Sequence, residues 1–228
     1  MWSGCVNARD LGGLPTRYGV LTRTGALLRT ESLDKLDEVG LVDFEAVGAG
    51  LVLDLRSDGE LTQPHPLDGR ASYRRIPWID PIADATWDVS AQPDLAGVYC
   101  GSLTYNRAHI ARAFRAVADA PADRAVAVHC RHGKDRTGVL IAVLLDLIGV
   151  PRELIAADYA ESEIRLGLQD AGEFSRSRPE TILAALTYLD NTYGGAHAYL
   201  TWCGLTEPEI HRLAARLVPG ESWSSSTE

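Results

Sequence analysis

Apolar residues are grouped into short runs that alternate with segments of helical spacing. Residues 51–56 and 125–129 are almost continuously apolar, a pattern typical of strands buried on both faces of a sheet. Residues 72–78 predict another strand, which Pro77 and Pro81 end because proline cannot donate to a sheet ladder. These runs predict at least three strands.

Helical patterns lie between the strands and fill the second half of the chain. Their apolar residues recur at helical spacing, and proline stands near the first turn of the last three. Strands separated by helices predict an α/β fold, with a central, mostly parallel sheet flanked by helices and a helical C-terminal half. The predicted helices are residues 33–49, 108–118, 137–149, 151–164, 179–193 and 207–217.

The length of 228 residues predicts one domain, residues 1–217, followed by a disordered tail at 218–228 that is rich in Ser, Gly and Glu. No apolar run is long enough for a membrane span, because Asp146 interrupts the longest one. The N-terminal residues lack the basic and apolar parts of a secretory signal, so we expect a cytoplasmic protein.

Charge and cysteine spacing exclude some classes of function. The chain has 22 basic and 31 acidic residues and a net charge of −9, which weighs against nucleic acid as a partner. Wide cysteine spacing without a CxxC pair favours neither a zinc site nor a disulfide framework. The chain has two lysines, Lys35 and Lys134. The cysteines are Cys5, Cys100, Cys130 and Cys203.

The chemistry is concentrated in residues 129–138, His-Cys-Arg-His-Gly-Lys-Asp-Arg-Thr-Gly, between a predicted strand and a predicted helix. Loops of this kind bind anions, because backbone N–H groups and the helix dipole point at the same place. Gly133 and Gly138 permit close backbone approaches. We therefore expect a phosphate site here.

Three side chains complete a mechanism. Cys130 is the predicted nucleophile, because positive surroundings stabilise a thiolate. Arg136 is predicted to bind two phosphoryl oxygens with its planar guanidinium, and the Thr137 hydroxyl is predicted to lie near the sulfur. This arrangement indicates attack on phosphorus through a phosphocysteine. Predicted substrate-binding residues are Arg131, His132, Gly133, Lys134 and Thr137.

The pattern His-Cys-x-x-Gly-Lys-Asp-Arg-Thr-Gly resembles the signature loop of protein-tyrosine phosphatases. Its Gly-Lys-Asp-Arg-Thr form resembles the atypical bacterial group typified by the mycobacterial tyrosine phosphatase B. The resemblance implies a protein-tyrosine-phosphatase fold, no metal or organic cofactor, and activity on phosphotyrosine, often with phosphoserine, phosphothreonine or phosphoinositides. Further similar segments are Asn7-Ala-Arg-Asp10, Leu28-Arg-Thr-Glu-Ser-Leu33, Asp54-Leu-Arg-Ser57, Ala157-Asp-Tyr159 and Thr192-Tyr-Gly194.

The chain departs from that group at several positions. Arg131 and His132 stand where the mycobacterial enzyme has apolar and small residues, so the loop is unusually cationic for a chain of net charge −9. This predicts a substrate more anionic than a plain phosphotyrosine side chain. Ala8 replaces a phenylalanine of the entry motif, and residues 81–107 are shorter than that enzyme's lid insertion.

Several aspartates compete for the role of proton donor to the leaving oxygen. The resemblance favours Asp80, because a Pro-x-x-Asp stretch supplies the acid in that group and Pro77-Trp-Ile-Asp80 matches it. Asp135 is the second candidate, because it lies inside the loop. Asp84 is a further candidate, and Asp54 is expected to anchor backbone or Arg56.

The leading hypothesis is thus a cysteine-dependent phosphomonoester hydrolase acting on phosphorylated protein. A metabolic phosphatase for a nucleotide, sugar phosphate or phosphoinositide is the alternative. A phosphate-binding module and a rhodanese-like sulfur transferase are weaker, because Cys130 and Arg136 are both present at the required spacing. A metal held by His129, Cys130 and His132 is not expected from their spacing.

Overall fold

The computed structural model describes residues 2–70 and 72–219, and their central feature is a five-stranded sheet. The strand order is β1-β2-β5-β3-β4, in which β1 is antiparallel to β2 and all other neighbours are parallel. The predicted mostly parallel α/β sheet is therefore confirmed. The strands are β1 (Arg9–Asp10), β2 (Leu27–Thr30), β3 (Leu51–Asp54), β4 (Tyr73–Arg75) and β5 (Val126–His129).

Nine α-helices occur within the described residues, and five of them follow β5, as the predicted helical C-terminal half requires. They are α1 (Glu38–Val47), α2 (Pro81–Asp84), α3 (Leu95–Tyr105), α4 (Arg107–Asp119), α5 (Asp135–Leu147), α6 (Arg152–Arg165), α7 (Pro179–Tyr193), α8 (Ala196–Trp202) and α9 (Glu207–Leu217).

Both faces of the sheet are covered, which explains why its strands read as continuous apolar runs. Val52 and Ala127 point to one face and join a small core with Phe44 of α1. Leu53 and Val128 point to the other face, where they join the main core with helices α3 to α9. Successive residues of each strand thus serve two different cores.

The predicted and observed elements differ most before β3. Residues 33–49 were expected to form helical turns throughout, but Leu33–Lys35 is a 3-10 turn and α1 begins at Glu38. The Asp37 side chain sets that start, because it accepts a hydrogen bond from the Gly40 amide over 2.8 Å. Strands β1 and β2 and helices α2, α3 and α8 were not predicted.

The end of the chain is described only in part. Val218 is buried against the main core. Residues 220–228, most of the predicted disordered tail, lie outside the described residues, so that prediction is untested. No helix among the described residues combines the length and apolar character that a membrane crossing requires.

We expect the core around α5 to dominate stability. Leu144 is fully buried there, so Leu144→Ala should lower the free energy of unfolding by about 2–5 kcal/mol, through lost apolar contact and the cavity left behind. Denaturant unfolding measures this change. Leu21→Ala, at an exposed leucine, is the matched control and should change the value by less than about 0.5 kcal/mol. Equal losses in the two variants would contradict the assignment of this core.

Candidate active site

The candidate site lies at the carboxyl edge of the sheet, where three parallel strands end side by side. His129 of β5 is paired with Thr30 of β2 on one side and with Asp54 of β3 on the other. The segments that follow these strands therefore leave the sheet together. Ligand sites of open α/β sheets lie at this edge.

Cys130 is the first residue beyond β5 and is buried at the base of the loop. The loop passes directly into α5, which begins at Asp135, so the helix N-terminus points into it. His129 Nδ1 lies 3.2 Å from the Cys130 carbonyl oxygen. Thr137 Oγ1 is buried and has no hydrogen-bond partner among the described residues.

Two glycines allow the loop to lie this close to its neighbours. Gly133 has φ +64°, and a Cβ atom there would lie 2.1 Å from the Thr30 carbonyl oxygen. At Gly138, in the first turns of α5, a Cβ atom would lie 2.9 Å from the ring of Tyr159. A side chain at Gly133 would push the loop away from β2.

Arg136 is held by a carboxylate that the sequence analysis did not identify. Its Nη1 and Nη2 donate to the two oxygens of Glu60 over 2.5 and 2.6 Å. Burial opposes the positive charge, but the hydrogen bonds of Glu60 and the nearby Cys130 outweigh it and raise the pKa of Arg136. The guanidinium is therefore fixed in orientation beside the loop.

The sequence does carry a weak signal for Glu60. Ser57 and Glu60 have the spacing of a capping box, and Glu60 Oε2 accepts from the Ser57 amide over 2.8 Å. That signal predicts the local turn after β3. It does not predict the partner 76 residues away, because this contact depends on the order of strands in the sheet.

Lys134 is buried, although a lysine in a polar loop is more often solvated. Its Nζ lies 2.8 Å from Asp135 Oδ1 and donates to the Arg176 carbonyl oxygen over 3.2 Å. The ammonium group thus joins the loop to the segment between α6 and α7. To contact substrate as predicted, Lys134 Nζ would have to do so in addition to its interactions with Asp135 and the Arg176 carbonyl oxygen.

Asp135 accepts a second hydrogen bond from a pair of buried tyrosines. Tyr99 Oη donates to Asp135 Oδ1 over 2.6 Å and lies 2.7 Å from Tyr159 Oη. Since Tyr99 gives its hydrogen to Asp135, Tyr159 donates to Tyr99. Burial and the charge of Asp135 raise the pKa of Tyr99 well above its usual value. Asp135 is therefore held by α3 and α6 as well as by its own helix.

Arg131 and His132 point outward, unlike the rest of the loop, and both are exposed. Their carbonyl oxygens tie the backbone to neighbouring segments. Arg131 O accepts from the Ser32 amide over 3.1 Å, and His132 O accepts from Asn7 Nδ2 over 2.9 Å. Burial lowers the pKa of His132.

The segments that resembled known phosphatases meet beneath the loop. Arg29 donates to the Gly133 carbonyl oxygen and to Asp158, each over 2.5 Å. Arg9 Nε donates to the other oxygen of Asp158 over 2.6 Å. These charges, with Asn7, hold the loop from below.

Asp80 has a different environment from the one expected of the acid. Its carboxylate caps the short helix α2 and accepts from the amides of Ile82 and Ala83 over 3.0 and 3.3 Å. These backbone hydrogen bonds lower the pKa of Asp80. Asp80 Oδ1 therefore serves as the N-terminal cap of this helix.

A cavity of about 340 Å³ adjoins the loop, and Arg136 and Asp135 form its polar end. Asp84 also lines it, where its Oδ1 accepts from Trp87 Nε1 over 3.0 Å. Asp80 is not part of the lining. The remaining walls are mainly apolar and aromatic and include Trp78, Ile79, Trp87, Val98 and Phe174.

A buried cluster of Asp54, His65 and His129 lies behind Cys130, and each residue offers an atom within 4.8 Å of the others. Both oxygens of Asp54 already accept from Arg56. His65 Nδ1 accepts from the Leu67 amide over 3.1 Å, so its hydrogen is on Nε2. A guanidinium on the carboxylate and a protonated Nε2 fit a packed polar support rather than a metal site. Burial and the neighbouring His129 lower the pKa of His65 to about 4.

Comparison with known proteins agrees with this geometry. A family model described as "Tyrosine phosphatase family" matches residues 1–219. The chain belongs to the tyrosine phosphatase family. It is a phosphatase, and so a hydrolase, as the sequence predicted.

Two relatives of this phosphatase are bacterial. A tyrosine-protein phosphatase of Nostoc commune is 33% identical over 198 residues, which cover 75% of this chain and 67% of the relative. The triple specificity protein phosphatase PtpB of Mycobacterium tuberculosis is 28% identical over an alignment of 247 positions, covering 82% of this chain and 88% of the relative. The predicted resemblance is thus confirmed over most of the chain.

The buried His65 gives the phosphatase a predictable pH dependence. Between pH about 6.5 and about 4 the unfolded chain binds a proton at His65 and the folded chain does not. The free energy of unfolding should therefore rise with pH across this window, by up to about 1.4 kcal/mol per pH unit for this proton.

Denaturant unfolding between pH 4 and 6.5 measures that slope. His65→Phe keeps an aromatic ring stacked on Tyr73, but phenylalanine cannot titrate. The slope of its free energy of unfolding against pH should therefore be smaller, by up to the contribution of one proton. The acidic groups in this cluster titrate at lower pH, because the pKa of Asp54 is lowered by His129 and Arg56 despite its burial. An unchanged slope in His65→Phe would contradict the prediction.

Proposed function

We propose that this chain is a cysteine-dependent phosphomonoester hydrolase of the protein-tyrosine or dual-specificity type, with residues 1–217 as one phosphatase domain and a cytoplasmic location. The observation that carries the proposal is the loop between β5 and α5. Cys130 lies buried at its base, and Glu60 fixes the orientation of the Arg136 guanidinium in the first turn of the helix that follows.

The proposed reaction has two steps. The Cys130 thiolate attacks phosphorus, the bond to the leaving oxygen breaks, and that oxygen takes a proton from an aspartic acid. Arg136 and the loop amides bind the equatorial oxygens. Water then attacks the phosphocysteine, the aspartate accepts its proton, and Cys130 leaves as thiolate. The Thr137 hydroxyl, which has no partner among the described residues, is available to donate to that sulfur.

We propose Asp135, rather than Asp80, as the residue that donates the proton to the leaving oxygen. Asp135 lines the cavity beside Arg136, whereas Asp80 is engaged as a helix cap. The resemblance supports Asp80 instead, and Asp84 shares the cavity. The three aspartates therefore form the set to test.

Gly133, Lys134 and Thr137 belong to the proposed phosphate site through the loop backbone, and we propose that the exposed side chains of Arg131 and His132 contact the substrate outside its phosphoryl group. We propose phosphotyrosine proteins as the leading substrates. The triple specificity named for the Mycobacterium tuberculosis relative supports including phosphoserine and phosphothreonine peptides as well. The site needs no metal or organic cofactor in this mechanism.

A metabolic phosphatase is the second candidate, and the aromatic cavity supports it. Trp78, Trp87 and Phe174 line a space that could accept a nucleobase as well as a phenyl ring. Nucleotides, sugar phosphates and phosphoinositides therefore belong in the same substrate panel.

Replacement of the nucleophile tests the mechanism. Cys130→Ser should lower phosphate release from phosphotyrosine peptides and p-nitrophenyl phosphate by at least about 10³-fold, because an alcohol is a far weaker nucleophile here. Cys203→Ser, at a cysteine away from the loop, is the matched control and should retain activity. Phosphate release by Cys130→Ser at the wild-type rate would exclude the phosphocysteine.

The proton donor is tested by the leaving group. Asp135→Asn should slow aryl phosphates with poor leaving groups about 10²-fold more than those with good ones, because only poor leaving groups need the proton. Asp80→Asn and Asp84→Asn should slow both kinds equally. The rates of a series of aryl phosphates measure this difference. The leaving-group pattern in Asp80→Asn alone would show that our assignment is wrong.

A further inference from the structure

The positive charges at the loop differ in how they are neutralised. Lys134 is paired with Asp135, and Arg136 is paired with Glu60. Beneath the loop, Arg29 is paired with Asp158. These cations are needed for the loop itself, and each already faces a carboxylate.

Lys35 and Arg131 have no such partner. Both side chains are exposed, and neither makes a hydrogen bond or ion pair within residues 2–70 and 72–219. The nearest acidic neighbours in sequence are occupied, since Asp34 pairs with Arg56 and Asp37 caps α1. Their charges are therefore available to a ligand.

The fold brings these two side chains to one side of the loop. The Ser32 amide donates to the Arg131 carbonyl oxygen, so the 3-10 turn that carries Lys35 lies next to Arg131. Lys35 and Arg131 also both lower the pKa of His132, in addition to the larger effects of partial burial and Asp135, so both charges lie near this imidazole. We call Lys35 and Arg131 the cationic rim.

The cationic rim lies outside the lining of the apolar cavity. Asp135 and Arg136 border the cavity with Trp87 and Phe174, and no member of the rim lines it. A phosphate bound in the loop would therefore have both an apolar space and exposed positive charge nearby. An aryl phosphate with negatively charged neighbours matches both.

We propose that the cationic rim is a subsite for acidic side chains that flank the phosphorylated residue of a protein substrate. This inference rests on the proposed function and names its substrate class. An extended peptide fits the rim, because the rim is open to solvent and is formed by flexible side chains rather than by a closed pocket. The rim also accounts for a site more cationic than a single phosphate requires in a chain of net charge −9.

Two phosphotyrosine peptides of equal length test the proposal, one with Asp and Glu at the flanking positions and one with Asn and Gln. The wild type should have a higher kcat/KM for the acidic peptide, by about threefold for each charge contacted, which is the scale of an exposed ion pair. Lys35→Gln with Arg131→Gln should lower the ratio of the two kcat/KM values about tenfold. Raising the salt concentration from 0.05 to about 0.5 M should lower the wild-type ratio in the same way.

Arg112→Gln is the matched control, because Arg112 is also exposed and lacks an ion pair, but lies on α4. Its ratio should equal that of the wild type. Thermal unfolding of all variants checks that they are folded. A bisphosphorylated small molecule and the corresponding monophosphate are compared in the same way. We expect loss of the rim to change the ratio of their kcat/KM values less than it changes the ratio for the two peptides.

Four outcomes would overturn the inference, and the last of them would overturn the proposed function as well. Equal kcat/KM values for the two peptides in the wild type would show that the rim does not bind the acidic side chains beside the phosphorylated residue. A double variant that loses both peptides equally would show a general role in phosphate binding. A preference confined to the bisphosphorylated small molecule would identify a different substrate class. Hydrolysis of neither peptide would overturn the proposed function and this inference with it.

Discussion

A fully buried guanidinium, that of Arg29, holds the parts of this phosphatase in register. It joins β2 to Asp158 of α6 and to the carbonyl oxygen of Gly133 in the loop. Arg9 pairs with the same carboxylate, so two cations share one buried anion. Burial opposes the charge of Asp158, but Arg29 and Arg9 outweigh it and lower its pKa. Removal of Asp158 would leave the buried charge of Arg29 without compensation, which is far more costly than loss of an exposed pair.

The chemistry of the site could be read from the sequence because its reacting groups are contiguous. Cys130, Arg136 and Thr137 lie within eight residues, and a strand and a helix bracket them. The apolar patterns likewise predicted β3, β5 and four helices of the second half, α5, α6, α7 and α9. Strand β2 was missed, because only two of its residues are apolar and its buried Arg29 depends on the distant Asp158.

The groups that hold the site were harder to predict, since they come from distant positions. Glu60 reaches Arg136 across the sheet edge, and Tyr99 reaches Asp135 from α3. The number of positive charges in the loop was read correctly from the sequence. The number alone does not say which of these charges are paired or buried, so it does not give the electrostatic potential that a substrate meets. Lys134 proved to be buried against Asp135 and the Arg176 carbonyl oxygen, whereas Arg131 faces outward.

The pair of Glu60 and Arg136 has a consequence for the thermodynamics of substrate capture. A free arginine side chain loses freedom of rotation about several bonds when it binds an anion, at a cost of about 2 kcal/mol in conformational entropy. Here folding has already imposed that order, because both terminal nitrogens of Arg136 are held by one carboxylate. The incoming phosphate meets a guanidinium whose plane is set in advance. The turn after β3, which carries Glu60, is thus part of the affinity of the site although it need not touch the substrate.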